Sequence, residues 1–302
     1  MTVTFALVGP TASGKTTIAL DLAERFGAEI VCVDSMTVYR GMDIGTAKPT
    51  PEQRARVPHH LLDVADPAET FTVARFQQLA RAAIHDIRAR GRVPLLAGGS
   101  GLYFRAAVDD LTFPPTDVAV RTRLDRRDIH ELAVMLKEAD ETAATFIDLE
   151  NRRRVVRALE VIEITGRPFS SFRDEWQRRN PAIVAGIRVS TGELATRIEQ
   201  RVRDMLEGGF LDEVRLLVDR GLRDALTASQ AIAYGQAVAH LDGKITREEL
   251  IAEAARATRR LARRQMSWFR RDPRMRWFEA DDVPRATQQI SAYYGEEVAR
   301  SA

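Results

Sequence analysis

The chain has 302 residues, with 45 Lys or Arg against 43 Asp or Glu, for a net charge of only +2. That length exceeds a minimal domain and suits one large domain, or a core carrying a smaller one, able to fold without covalent staples. A single cysteine, Cys32, excludes an internal disulfide and a Cys-based zinc site. The first residues run directly into strand-like sequence, leaving no room for a signal peptide, and no apolar stretch nears the roughly 20 residues that span a bilayer; a reducing, cytoplasmic setting without a membrane partner is expected.

Val3-Thr4-Phe5-Ala6-Leu7-Val8 is an apolar run fit for a buried strand, and Thr16 to Phe26 places Ile18, Leu20, Leu22 and Phe26 at spacing fit for a helix. Between them, Gly9-Pro10-Thr11-Ala12-Ser13-Gly14-Lys15-Thr16 has the G-x-x-x-x-G-K-[ST] form of a phosphate-binding loop. A loop that joins a strand to a helix N-terminus offers unpaired backbone N–H groups and the positive end of the helix dipole to a diphosphate or triphosphate. Lys15 adds a point charge and Thr16 a hydroxyl for a magnesium ion. Which phosphate compound is held is not written in the loop.

Glu29 to Val33 reads as a second strand, ending at Asp34-Ser35, and Phe71 to Arg90 as an amphipathic helix. A third strand, Val93 to Ala97, is stopped by Gly98-Gly99-Ser100-Gly101. An NTPase normally ends such a strand in Asp; this one ends in Gly-Gly-Ser, and Leu61-Leu62-Asp63 is too short to replace it. Asp34 is therefore the best-placed carboxylate, and with Ser100 and the phosphate loop it is expected to border one crevice beyond the strand ends. An Asp there suits binding magnesium, binding a ribose, taking a proton or capping the next turn. His59 and His60 are adjacent, point to opposite faces if on a strand, and have no third ligand nearby in sequence, so a structural role is expected for them.

Phe113-Pro114-Pro115 marks a boundary, and from about Thr116 the apolar residues keep helical spacing through Leu132, Leu136, Val155, Val156, Leu159 and Ile162. Strand character returns at Ile183 to Val189, followed by helices through Val202 and Leu206, at Leu211 to Asp219, and from Leu250 to about Arg270. The expected class is α/β: a P-loop, doubly wound parallel sheet formed by residues 1–115 and 182–302, with an all-helical domain inserted at 116–181. Charge is uneven, with nine arginines between Ile251 and Trp277 against Glu253 and Asp272 alone, and a second run at Arg152-Arg153-Arg154 with Arg157. Two basic clusters in a phosphate-binding protein, one of them beside Trp268, Phe269, Trp277 and Phe278, favour nucleic-acid contact over two solvated helix faces.

Several ordered segments together resemble the tRNA dimethylallyltransferase family. They are the loop at 9–16, Asp34-Ser35, Tyr39-Arg40-Gly41-Met42-Asp43-Ile44-Gly45-Thr46-Ala47-Lys48-Pro49, and Pro58-His59-His60-Leu61. Gly98 to Tyr103, Arg157-Ala158-Leu159-Glu160-Val161 with Thr165-Gly166, and Arg263 to Arg270 continue the series. The resemblance implies transfer of a dimethylallyl group from dimethylallyl diphosphate to N6 of the adenosine 3′-adjacent to the tRNA anticodon, with Mg2+ as cofactor. It places the diphosphate on Gly9, Thr11, Ala12, Ser13, Gly14, Lys15 and Thr16, makes Asp34 the general base, and sets the Ser100 hydroxyl, where Thr is usual, near the diphosphate and the base. For tRNA contact it implies Asp34, Ser35, Met36, Thr37, Ser100, Arg121, Arg153, Arg154, Arg157, Gln230 and Tyr234. Thr37 stands where Gln is common, and Ala233 and Gly235 where Gly and a long basic residue are usual, departures that bear on the anticodon-loop sequence preferred. An isopentenyltransferase acting on free AMP or ADP, or a P-loop small-molecule kinase, would share the loop; nothing suggests an obligate protein partner.

Overall fold

A computed structural model describes residues 3–301, leaving the first two residues and Ala302 of the expected core segments outside the described residues. Strands β1 (Phe5–Val8), β2 (Ala28–Cys32), β3 (His59–His60), β4 (Val93–Gly98), β5 (Ile183–Arg188) and β6 (Met275–Glu279) form one parallel sheet in the order β3-β2-β4-β1-β5-β6. All residues of β1 and β2 are buried, as strands covered by helices on both faces must be. The chain leaves β1 toward β2 and β3, returns to insert β4, and later adds β5 and β6 on the far side. Loops after β1 and β4 therefore part at the carboxyl edge, where a ligand crevice forms.

Helices α1 (Lys15–Phe26), α2 (Pro51–Arg56), α3 (Val73–Ala89) and α4 (Gly101–Val108) connect the first strands. Two of them start on capping side chains: Thr72 of α3 accepts from Arg75 N, and Thr50 of α2 forms a reciprocal capping box with Gln53.

Residues 109–180 cluster as a separate compact unit built from α5 (Val118–Asp125), α6 (Ile129–Ala139), α7 (Glu141–Phe146), α8 (Arg152–Thr165) and α9 (Arg173–Gln177), with no strand among the described residues. Asp117, Asp128, Asp140 and Asn151 cap the first four of these helices, and Leu124, Leu132, Leu136, Val155, Val156 and Leu159 make their shared core.

The sheet unit resumes with α10 (Thr191–Glu207), α11 (Phe210–Asp219), α12 (Tyr234–Leu241), α13 (Arg247–Phe269) and α14 (Val283–Ser301). Its core runs through β1, where the Tyr294 ring of α14 stacks on Phe5 at 4.3 Å and its hydroxyl donates to Ala6 O at 2.7 Å. Two strands and one long helix go beyond the sequence reading. β3 has two residues, too few for any periodicity, and β6 is a half-exposed edge strand whose Arg276 interrupts the apolar signal. Helix α14 is polar along much of its length and was not expected.

Candidate active site

The phosphate loop passes from β1 into α1, and its chain is held from within: Ser13 Oγ donates to Pro10 O at 2.7 Å, and Lys15 Nζ donates to the same carbonyl. It is also held from outside. Thr11 N donates to Gln265 Oε1 on α13 at 2.9 Å, and Arg201 of α10 reaches Thr11 Oγ1 at 3.3 Å. Gln265 comes this close because Gly99, at the end of β4, has no side chain; a Cβ there would lie 2.3 Å from Gln265 Nε2.

A cavity of about 240 Å³ opens over this loop, lined by residues 11–16, Asp34, Thr37, Arg201 and Gln265, with Ala19, Ile30, Cys32 and Ala97 as apolar surface. Burial, and after it the neighbouring Arg201, pushes the Lys15 amine down to about 7, while Asp34 pulls the other way. Arg201 is itself held below its ordinary value by burial. Two cations and one carboxylate thus face one cavity, an arrangement that favours a ligand of several negative charges. Burial first, and Asp34 next, drives the Cys32 thiol up to about 12, which leaves it a packing residue with no nucleophilic thiolate.

Asp34 follows β2 after one residue, Val33, and its Oδ1 accepts from Met36 N at 2.8 Å. One carboxylate oxygen therefore closes the turn, and the other remains for chemistry at the cavity. Thr37 is only 9% exposed, and its hydroxyl has no hydrogen-bond partner among the described residues. Ser100 lies next to this corner without lining the cavity: its N–H donates to Val33 O at 3.2 Å, and its carbonyl accepts from Phe104 N at the start of α4. Gly9, Ser35 and Met36 also stand outside the lining.

The two histidines divide between the faces of β3. His59 pairs with Ile30, lines the cavity, and has its Nδ1 2.7 Å from Val57 O, with burial lowering its pKa. His60 turns away to Glu29 at 2.7 Å. Among the described residues no helix is long and apolar enough to cross a membrane.

The basic residues expected at RNA lie elsewhere. In the helical unit Arg153 and Arg154 are exposed on the first turn of α8, whereas Arg121 and Arg157 both bind the fully buried Glu160, at 2.8 and 2.7 Å. Gln230 is exposed, and Tyr234 is buried with its hydroxyl on Glu213 at 2.7 Å. Arg201 and Gln265 are the cavity residues that sequence reasoning passed over. Gln265 carried a signal, being inside the Arg263 to Arg270 segment; Arg201 carried none, since α10 reads as an ordinary charged helix.

A phosphate loop at the head of a parallel sheet, facing a carboxylate and two half-buried cations, makes a P-loop α/β site whose charge suits a phosphorylated ligand. The IPP transferase family model matches residues 37–272, and the chain belongs to that family. It is 52% identical over 276 residues to the tRNA dimethylallyltransferase of Streptomyces coelicolor, covering 90% of this chain and 88% of that one. To the tRNA dimethylallyltransferase of Thermobifida fusca it is 51% identical over 290 residues, covering 93% and 91%. The solved tRNA isopentenylpyrophosphate transferase of Bacillus halodurans superposes with a TM-score of 0.74 at 39% identity, covering 99% of this chain and 98% of that one. A eukaryotic dimethylallyltransferase acting on tRNA shares the fold, with a TM-score of 0.86 at 24% identity over 99% of this chain and 80% of its own.

Proposed function

We propose that the chain transfers a dimethylallyl group from dimethylallyl diphosphate to N6 of the adenosine 3′-adjacent to the anticodon of tRNA. The observation that carries the chemistry is the placement of Asp34 and the phosphate loop on one cavity with Lys15 and Arg201. The diphosphate sits on Thr11 to Thr16, with the helix α1 N-terminus behind it. As the C–O bond breaks, its electron pair leaves with the diphosphate, and Lys15, Arg201 and the loop N–H groups stabilise the charge where it develops. N6 of adenine forms the new C–N bond and passes its proton to the Asp34 oxygen left over from the Met36 turn. Ser100 stands beside that corner, outside the cavity lining, and its backbone bonds to Val33 and Phe104 help hold the corner in place. The Thr16 hydroxyl, an oxygen donor exposed on the cavity, would hold a magnesium ion, which when bound would supply further neutralisation of the leaving group.

Access to N6 requires the target base to leave the anticodon-loop stack. Arg153 and Arg154, exposed and without acidic partners among the described residues, are the phosphate-binding candidates of the helical unit. Arg121 and Arg157 spend part of their hydrogen bonding on Glu160, and Arg157 also on Pro114 O and Pro115 O, so they shape the unit as well as charge it.

The test is incubation of the purified chain and magnesium with radiolabelled dimethylallyl diphosphate and, separately, unmodified tRNA, AMP and ADP. Label in tRNA, mapping to the adenosine beside the anticodon, is expected. Label in AMP or ADP instead would contradict the polymer substrate, and label in no acceptor would contradict the transfer.

A further inference from the structure

Residues 36–49 run from the Asp34 corner back across the cavity, where Thr37, Thr46, Ala47 and Pro49 form one wall. A segment this long without a strand or helix needs external anchors, and the strongest one comes from α11. Glu213 Oε2 accepts from Asp43 N at 2.8 Å and Ile44 N at 2.6 Å, and its Oε1 accepts from Gly45 N at 3.2 Å. The Tyr234 hydroxyl, on α12, donates to the same Oε1 at 2.7 Å. One carboxylate thus gathers three successive backbone donors and one phenol. The fit extends to packing: Tyr234 meets Phe210 edge to face at 5.1 Å, and a Cβ on Gly45 would lie 2.5 Å from both rings. Burial, and after it Glu213, raises the Tyr234 pKa, so the phenol stays a donor.

We infer that Glu213 is a positioning residue for the transfer, a latch that fixes the cavity wall at 43–49, and that Tyr234 acts by orienting Glu213 and not by touching RNA. The inference rests on the transferase reading, because the wall faces the space where the dimethylallyl group and the base would meet. The phosphate loop has its own anchors, so diphosphate binding does not depend on the latch. Charge-assisted bonds to backbone N–H groups are the stronger kind, and losing the carboxylate leaves four donors, three amides and one phenol, to find water.

The experiment compares the full chain with Glu213→Gln, Glu213→Ala and Tyr234→Phe. Hydrogen exchange at Asp43, Ile44 and Gly45 reads the latch directly and needs no turnover. Both Glu213 variants are expected to exchange faster there, and to lose about tenfold in kcat, since small displacements of reacting groups are costly. Affinity for inorganic diphosphate and KM for tRNA should stay within about twofold, a split that general destabilisation would not give. Tyr234→Phe, which keeps the ring, is expected to show the same pattern more weakly. Unchanged exchange, or unchanged kcat, in Glu213→Ala would overturn the latch. So would a raised KM for tRNA at unchanged kcat in Tyr234→Phe, which would return Tyr234 to RNA contact. A wild-type chain that transfers nothing would instead remove the transferase reading, and the exchange data would still decide whether Glu213 holds the wall.

Discussion

Lys15 and Arg201 share a cavity that partly desolvates both, and Arg201 helps push the Lys15 amine down to about 7. An anion bound between them relieves that repulsion and gains two charge-assisted hydrogen bonds, the strongest polar term available to the site. Arg201→Ala is therefore expected to weaken binding of inorganic diphosphate by about 10–100-fold, the equivalent of one charged hydrogen bond. Titration calorimetry checks it, and unchanged affinity would take Arg201 out of the anion site. Lys15 was legible because eight consecutive residues spell the loop. Arg201 was not, because it comes 190 residues after its partner Thr11 and meets it only through packing. Asp34 was legible as a strand-end carboxylate; that it caps the Met36 turn with one oxygen and keeps the other is a division only the structure reveals.

At the scale of an element, the segment Asp43 to Pro49 shows what a sequence motif can encode without chemistry of its own. Gly45 makes room for the Tyr234 and Phe210 rings, the Thr46 hydroxyl donates to Met42 O at 2.5 Å, and Lys48 is buried as an internal clamp. Lys48 Nζ donates to Tyr39 O at 2.5 Å, Asp43 at 2.7 Å and Asp63 at 2.6 Å, while Arg54 binds the other oxygen of Asp63 at 2.8 Å. Burial alone would raise the Asp63 pKa, but the bonds from Lys48 and Arg54 outweigh it and hold the carboxyl below its ordinary range. A carboxyl depressed in the folded state stabilises above its unfolded pKa and loses that contribution as pH falls through the folded value. Lys48→Met is accordingly expected to cost about 2 kcal/mol at pH 7, and the deficit should shrink below about pH 4 as Asp63 protonates in both proteins. Urea unfolding at the two pH values measures it, and a deficit independent of pH would mean that Lys48 acts through packing alone. The motif was visible in the sequence, yet its role was not, because the groups it binds, Asp63, Glu213 and Tyr234, lie up to 189 residues away from its members. The strands β3 and β6 escaped for a local reason: two residues carry no period, and an edge strand needs only one apolar face.

Across the whole molecule, the near-balance of charge conceals a division of labour. Arginines that pair with buried acids, such as Arg157 with Glu160 and Arg274 with Asp272, hold structure, whereas Arg153, Arg154 and the exposed Arg256, Arg260, Arg263 and Arg264 of α13 stay available to phosphates. A count of basic residues could suggest a polyanion, but not which arginines were already committed. The parallel α/β class was legible from four apolar runs alternating with amphipathic helices, since strands buried on both faces need that composition. The proposed transfer turns on Asp34, which borders the same cavity as the phosphate loop, taking the N6 proton. Single-turnover transfer by Asp34→Asn tests this most directly, because the amide oxygen can still accept from Met36 N and keep the turn. The expected rate is lower by roughly 100-fold or more, the scale of a lost general base, with diphosphate and tRNA affinities within a few-fold. Transfer at the wild-type rate would contradict it.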